Sequence, residues 1–253
     1  MFPEINLGFL GSLRLYTVMA AIGVAVFCLL VYKEVSRIQK TSPFPEKAYI
    51  FPKLAWSLFG GYFGALFYDA AFKYAQRGAL ELKGIAFYGG LIGGVITLYL
   101  FFVYSPKATS LTALKWFDTL TIPFLAFHFV GRIGCFLSGC CYGKPTDSAF
   151  GVSFPDQPEY GVFHFGQKVY PTQLFEAAGI IAIIFLLAFV FKKNRFKLYL
   201  IFYSALRFFV EFFRGDDRGV CLFSLSPAQN TSLAILLAVV LYSVFRFIKQ
   251  KSK

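Results

Sequence analysis

The sequence predicts an all-α membrane protein with about seven transmembrane helices, an outside amino terminus and a cytoplasmic carboxyl terminus. Of its 253 residues, 57% are apolar, only 15% are charged and 34 are Phe, a composition that a water-soluble domain does not tolerate. A helix needs about 20 apolar residues to cross a hydrocarbon core of about 30 Å. Seven such stretches follow one another, approximately over residues 15–32, 54–75, 84–104, 117–137, 173–191, 198–213 and 222–246.

The predicted orientation follows from the loops between these stretches. The carboxyl terminus and alternate loops hold 15 Lys and Arg residues on one side, against 7 on the other. Cytoplasmic loops are enriched in Lys and Arg, which places the carboxyl terminus inside. This spread of positive charge also argues against nucleic-acid binding, which concentrates basic residues on one face or arm. The first stretch is too long for a signal-peptide core, so we expect it to be retained as a helix.

We expect a single transmembrane domain over residues 1–253, with an outside loop at about residues 139–171. This loop contains four Pro residues, and loops of such length in compact proteins are usually functional or mobile. Small residues recur in the second and third stretches at a spacing that lets membrane helices approach closely. They are Gly60, Gly61, Gly64 and Ala65, and Gly89, Gly90, Gly93 and Gly94.

Polar side chains inside the predicted spans fall mostly in the outer half of the bilayer. A central charge costs on the order of 2.5 to 3.5 kcal/mol on insertion scales, so such residues are candidates for function. Arg132 and Arg214 carry planar guanidinium groups that bind phosphate oxygens through paired hydrogen bonds. The sequence therefore predicts a phospholipid headgroup site open to the outer leaflet. Its other polar candidates are Tyr16, Tyr88, Glu176, Glu211 and Gln229.

Structural roles are open alternatives for several of these residues. Each arginine can instead snorkel toward the surface or pair with a nearby glutamate. Tyr16 and Tyr88 also fit the aromatic belt at a membrane interface. His128 fits a hydrogen-bonded core histidine as well as it fits a general base, and His164 is expected to be a surface residue.

The five cysteines predict no metal site. Cys28, Cys135, Cys140, Cys141 and Cys221 form neither a CxxC pair nor a zinc pattern with histidine. The adjacent Cys140 and Cys141 are expected not to bond to each other, since such a ring is strained.

Six ordered motifs resemble the prolipoprotein diacylglyceryl transferase family. The run HFVGRIGCFLSGCCYGKPTD at 128–147 is similar to the family's G-R-I-G-N-F-x-N-G-E signature at the end of a membrane helix. The other five, which extend the resemblance over nearly the whole chain, are RLYTVMAAIG at 14–23, FYGGLIGG at 87–94, YPTQLFEA at 170–177, RFFVEFFRGDD at 207–217 and LSPAQNTSL at 225–233.

This resemblance implies transfer of the diacylglyceryl group of phosphatidylglycerol to the thiol of a lipobox cysteine in a prolipoprotein signal peptide. It further implies release of glycerol phosphate, a multi-pass location in the bacterial cytoplasmic (inner) membrane, contact with membrane lipids, and no cofactor. The implied catalytic residues are Arg132 and Arg214. We expect Tyr88 or His128 to accept the proton of the thiol, and the sequence does not decide between them. The implied substrate-binding residues are Tyr16, Arg132, Ser138, Gly139, Gly143, Glu176, Glu211, Arg214 and Gln229.

Some positions depart from the family pattern. Tyr88 stands where the family has a histidine, Cys135 where it has an asparagine, and Cys140 and Cys141 where it has a glutamate and its neighbour. These departures keep open a divergent transferase with a different acceptor. A non-enzymatic lipid-binding membrane protein is a further alternative, although transporters more often show inverted repeats.

Overall fold

The structure is a computed structural model that describes residues 4–6, 12–78, 86–105, 109–156, 166–215 and 224–251. These residues are predominantly helical. Two short antiparallel pairs accompany the helices: β1 (Glu4–Asn6) with β2 (Ser12–Arg14), and β3 (Val152–Ser153) with β4 (Lys168–Val169). The described part of the chain contains seven α-helices: α1 (Leu15–Gln39), α2 (Glu46–Arg77), α3 (Phe87–Tyr104), α4 (Ala113–Leu137), α5 (Thr172–Phe185), α6 (Arg195–Val210) and α7 (Pro227–Lys251).

Among the described residues, five helical segments are long and apolar enough to cross a membrane. They are α1, α3, α4, α7, and α5 together with the π-helical turn Leu186–Val190. Helix α6 has only 16 residues, and α2 contains a pair of opposite charges, Asp69 and Lys73, whose side chains lie 2.8 Å apart. Seven crossings and the orientation of the termini therefore stay predictions. Large apolar side chains are widely exposed, as at Leu29 and Phe189 (68% each), which suits contact with lipid.

The start of α7 is set by capping rather than by hydropathy. Helix α7 begins at Pro227, whereas the apolar stretch predicts a start near residue 222. The backbone N–H of Gln229 donates to Ser226 Oγ (3.2 Å), and the backbone N–H of Ser226 donates to Gln229 Oε1 (3.0 Å). This reciprocal capping box, followed by proline at the first helical position, fixes the start of α7.

The chain divides into two compact units, and the first comprises Met1–Leu29, Leu120–Arg218 and Ser232–Lys253. Small residues let its helices approach each other. A Cβ atom added at Gly134 in α4 would lie 2.9 Å from Met19 Cβ in α1, and one added at Gly179 in α5 would lie 2.5 Å from Leu206 in α6. This unit holds most of the predicted site.

The second unit comprises Leu30–Thr119 and Gly219–Thr231. Its helices α2 and α3 pack closely through the glycines that the sequence predicts for this purpose, so that prediction is confirmed. A Cβ atom at Gly64 would lie 2.5 Å from the carbonyl oxygen of Gly89, and one at Gly93 would lie 2.3 Å from that of Gly60. Only hydrogen fits at these crossings.

A buried carboxylate at the start of α2 anchors the other end of this unit. Glu46 accepts hydrogen bonds from the hydroxyls of Ser42 (2.7 Å), Ser110 (2.6 Å) and Thr109, and from the backbone N–H of Ser110 (2.8 Å). Burial alone would raise the pKa of Glu46, but the hydrogen bonds from Ser110 and Thr109 outweigh it and lower the pKa. The carboxylate thereby ties the segment before α2 to the segment before α4.

Two adjacent glycines of α3 provide a test of the close packing between α2 and α3. A Cβ atom at Gly89 would meet Tyr68 Cβ at 2.3 Å, whereas one at Gly90 would make only ordinary contacts of 3.5 Å or more. We predict that Gly89→Ala destabilises the protein by about 1 to 3 kcal/mol through overpacking. The control Gly90→Ala should change stability by no more than about 0.5 kcal/mol. Thermal midpoints in matched detergent micelles measure both, and equal midpoints would contradict the close approach.

Candidate active site

Five buried charged side chains form one network in the first unit, with Glu176 of α5 at its centre. Arg132 of α4 places Nη2 2.9 Å from Glu176 Oε1. Arg207 of α6 places Nη1 3.7 Å from Glu176 Oε2 and Nη2 2.7 Å from Glu211 Oε2. Arg214 Nε lies 3.8 Å from the same oxygen of Glu211. The network thus joins α4, α5, α6 and the segment that follows α6.

Helix periodicity explains what α6 contributes. Tyr203, Arg207 and Glu211 recur every four residues, so they lie along one face of the helix. The hydroxyl of Tyr203 donates to Glu176 Oε1 at 2.7 Å. Neither Tyr203 nor Arg207 is among the residues that the sequence predicts for the site. The four-residue spacing is the signal that could have identified both.

His128 lies one turn before Arg132 on α4 and belongs to the same network. Its Nε2 is 3.6 Å from Glu176 Oε1, and its ring meets the ring of Tyr203 edge to face at 5.0 Å. The side chain is 5% exposed. At this distance the Glu176 carboxylate acts on the imidazole through its charge.

The described members of this network carry one excess positive charge. Three arginines face two glutamates, and all five side chains are buried. Ions removed from water are costly unless opposite charge offsets them. A phosphodiester with a charge of −1 matches this excess. The network can therefore stabilise an anionic headgroup brought to it.

Backbone geometry at the end of α4 shapes the adjoining loop. Gly139 adopts a left-handed conformation with φ +67°, its N–H donates to Phe136 O (3.2 Å), and the N–H of Cys140 donates to Cys135 O (3.2 Å). This pair of bonds is a Schellman motif, which favours glycine at the left-handed position. Ser138 is half-buried in the same turn. The motif brings residues 135 and 140 together.

Gly143 fastens this loop to both neighbouring segments. Its N–H donates to Tyr170 O (2.8 Å), the N–H of Lys144 donates to Phe213 O (2.8 Å), and Gly143 pairs with Arg214 as an isolated β-bridge. A Cβ atom at Gly143 would lie 2.6 Å from both Phe213 O and Tyr170 Cβ. The pairing requires glycine and sets the position of the Arg214 backbone.

Cys141, next in this loop, has a left-handed backbone with φ +63°, which non-glycine residues rarely adopt. Hydrogen bonds from the thiols of Cys135 and Cys140 lower the pKa of Cys141, burial opposes them, and the charges of Arg214 and Arg132 add to the lowering. The charges of the two arginines thus favour the thiolate form of Cys141.

The remaining predicted residues of the described chain are Tyr16, Tyr88 and Gln229. Tyr16, in the first turn of α1, is 47% exposed and lies near Gly134, where an added Cβ atom would be 3.6 Å from its ring. Tyr88 and Gln229 belong to the second unit: Tyr88 is buried at the start of α3, and Gln229 forms the capping box of α7. Their substrate roles stay predictions. His164 and Cys221 lie outside the described residues.

The chain is similar to proteins of one known family. A family model described as prolipoprotein diacylglyceryl transferase matches residues 5–245. A phosphatidylglycerol–prolipoprotein diacylglyceryl transferase of Clostridium tetani is 37% identical over 175 residues, which are 66% of this chain and 67% of that protein. One of Clostridium perfringens, numbered 2, is 37% identical over 64% of this chain and 62% of its own length. One of Finegoldia magna is 31% identical over 90% of this chain and 89% of its own length.

Replacement of Glu176, the carboxylate at the centre of the network, should lower the stability of the protein. Glu176→Gln removes the negative charge between Arg132 and Arg207, and uncompensated buried charge costs about 3 to 5 kcal/mol. We predict a lowered thermal midpoint in matched micelles. The control is Glu34→Gln, which breaks an ion pair with Arg37, whose side chain is 77% exposed; such surface pairs contribute about 0 to 1 kcal/mol. Equal midpoints for the two variants would contradict a central role of Glu176.

Proposed function

Since the chain belongs to the prolipoprotein diacylglyceryl transferase family, we propose that it transfers the diacylglyceryl group of phosphatidylglycerol to a cysteine thiol of a prolipoprotein. Glycerol phosphate is the other product. The observation that carries this proposal is the buried network of Arg132, Glu176, Arg207, Glu211 and Arg214. It supplies cationic hydrogen-bond donors within a chain whose helices are apolar enough to lie in lipid.

The acceptor is the lipobox cysteine of the signal peptide. The protein is a multi-pass component of the bacterial cytoplasmic (inner) membrane and crosses it seven times, with its amino terminus outside. It forms a single transferase domain. The loop at about residues 139–171 lies on the outer side, where phosphatidylglycerol enters from the outer leaflet.

The reaction is a substitution at carbon. The acceptor thiol loses its proton, and the thiolate sulfur attacks the glyceryl carbon that bears the phosphate oxygen. A carbon–sulfur bond forms as the carbon–oxygen bond breaks, and the bonding electrons pass to the phosphate oxygen. The phosphodiester, with a charge of −1, becomes a phosphomonoester with a charge approaching −2. Negative charge therefore grows on the phosphate in the transition state.

Arg132 and Arg214 hold that phosphate in this proposal. A guanidinium has five N–H donors in a planar fork, so one nitrogen suffices for the glutamate contact of each arginine while the group also serves a phosphate. Donors aimed at growing charge lower the barrier because they bind the transition state more strongly than the ground state. Glu176 and Glu211 keep the two guanidinium groups in position.

The thiol requires a proton acceptor, because a free cysteine with a pKa of about 8.5 is mostly protonated at neutral pH. Tyr88 and His128 are the two proposed acceptors. His128 belongs to the network, with its Nε2 3.6 Å from Glu176 Oε1. Tyr88 is buried in the second unit.

The headgroup-binding residues of the proposal come from three parts of the chain. They are Tyr16 at the start of α1, Ser138, Gly139 and Gly143 in the loop after α4, and Gln229 of α7. A purely lipid-binding role is not favoured, because the matched family and the similar proteins are named as transferases.

Replacement of arginine by lysine separates a phosphate clamp from a simple anchor. Lysine keeps the charge and nearly the length but lacks the planar fork. We predict that Arg132→Lys and Arg214→Lys each lower turnover at least about tenfold, equivalent to about 1.4 kcal/mol of transition-state stabilisation. The double variant should be little worse than the poorer single variant, because both residues act on one group. The assay is release of glycerol phosphate from phosphatidylglycerol in the presence of a lipobox peptide.

The matched control is Arg37→Lys at an exposed arginine that pairs with Glu34 (3.2 Å). It should turn over like the parent. Only variants whose thermal midpoints match that of the parent are compared, so that a loss of folded protein is not mistaken for a loss of catalysis. If both Arg132→Lys and Arg214→Lys turn over like Arg37→Lys, the two arginines are anchors and the phosphate lies elsewhere.

A further inference from the structure

Three thiols converge at the end of α4. The Sγ atoms of Cys135, Cys140 and Cys141 all lie within 4.8 Å of one another. Cys135 is buried, the other two are half-buried, and none of the three is in a disulfide. The thiol of Cys140 also points at the carbonyl oxygen of Cys135, at 3.7 Å. The sequence does not reveal this cluster, because its C-x4-C-C spacing is not that of a zinc-binding pair.

The backbone holds the three thiols together. The Schellman motif brings residues 135 and 140 into contact, and the left-handed turn at Cys141 follows immediately. Side chains from the start of α5 fix the same two peptides: the Thr172 hydroxyl donates to Cys141 O (2.8 Å), and the Gln173 amide donates to Cys140 O (2.7 Å). The cluster is thus set by tertiary contacts as well as by local geometry, which is typical of a binding site.

We propose that Cys135, Cys140 and Cys141 bind one thiophilic metal ion of the zinc class through three thiolates. Zinc–sulfur bonds of about 2.3 Å place neighbouring sulfurs about 3.8 Å apart in a tetrahedron, so small side-chain rotations bring these three into position. Soft sulfur ligands select zinc and copper(I) over magnesium or calcium. Binding releases the protons that the three thiols carry.

The site has an open fourth position. No histidine, aspartate or glutamate among the described residues completes the set, so the fourth ligand is water or another small donor. Three thiolates and a divalent ion leave a charge of −1, to which a neutral fourth ligand such as water adds none. The proposal is independent of the transfer reaction and stands even if the chain uses another acceptor.

Metal stoichiometry of the purified full chain tests the proposal. The protein is reduced with a phosphine in detergent, incubated with Zn²⁺, desalted and analysed by plasma mass spectrometry. We expect about one zinc per chain in the parent and in Cys28→Ser, whose cysteine is exposed and remote in sequence. Zinc should bind at least about tenfold more weakly to each of Cys135→Ser, Cys140→Ser and Cys141→Ser, because each substitution removes one ligand. Co²⁺ in the parent should give the thiolate charge-transfer absorption.

A second measurement uses only the parent protein, so it does not depend on whether a variant folds. Zinc should slow alkylation of Cys140 and Cys141 in the parent but leave Cys28 unaffected, as mapped by peptide mass spectrometry. The proposal would be overturned if the reduced parent bound no zinc, if Cys28→Ser lost as much zinc as the other three variants, or if zinc left the alkylation rates unchanged.

Discussion

The carboxylate of Glu176 is the interaction on which the first unit depends. It is fully buried and is approached by Arg132, Arg207 and the hydroxyl of Tyr203, which come from two different helices. A buried charge is stable only where opposite charge and hydrogen bonds surround it. The fold therefore cannot place α4, α5 and α6 independently, because each contributes to the surroundings of one ionised group.

The same constraint produces the proposed chemistry. Arginines that are held by glutamates keep a fixed geometry, so little reorganisation is needed when negative charge grows on a phosphate. The loop at Gly143 extends this order to Arg214, because it pairs with the Phe213–Gly215 segment through the backbone. Pairing with glutamate and binding of phosphate are thus not competing explanations of these arginines: the first supports the second.

Much of the helical pattern is predictable because hydropathy is a local property. The stretch 117–137 lies within α4, and the glycines at 64 and 89 correctly indicate a close helix crossing. Helix starts are less predictable: the start of α7 is set by Ser226 and Gln229, whose hydrogen bonds hydropathy ignores. Which arginine meets which glutamate is a tertiary property. The sequence does not predict the cysteine cluster, because the cluster depends on the turn at Gly139 and not on residue spacing alone.

Selective lipid binding tests the central claim most directly, namely that the excess positive charge of the network receives the phosphate of the donor. Binding of phosphatidylglycerol and of diacylglycerol with the same acyl chains would be compared by native mass spectrometry of the parent and of Arg214→Gln, which removes one positive charge. We expect the parent to prefer phosphatidylglycerol by at least about tenfold, or about 1.4 kcal/mol, and the variant to lose most of that preference. Equal binding of the two lipids by the parent, or an unchanged preference in Arg214→Gln, would contradict it.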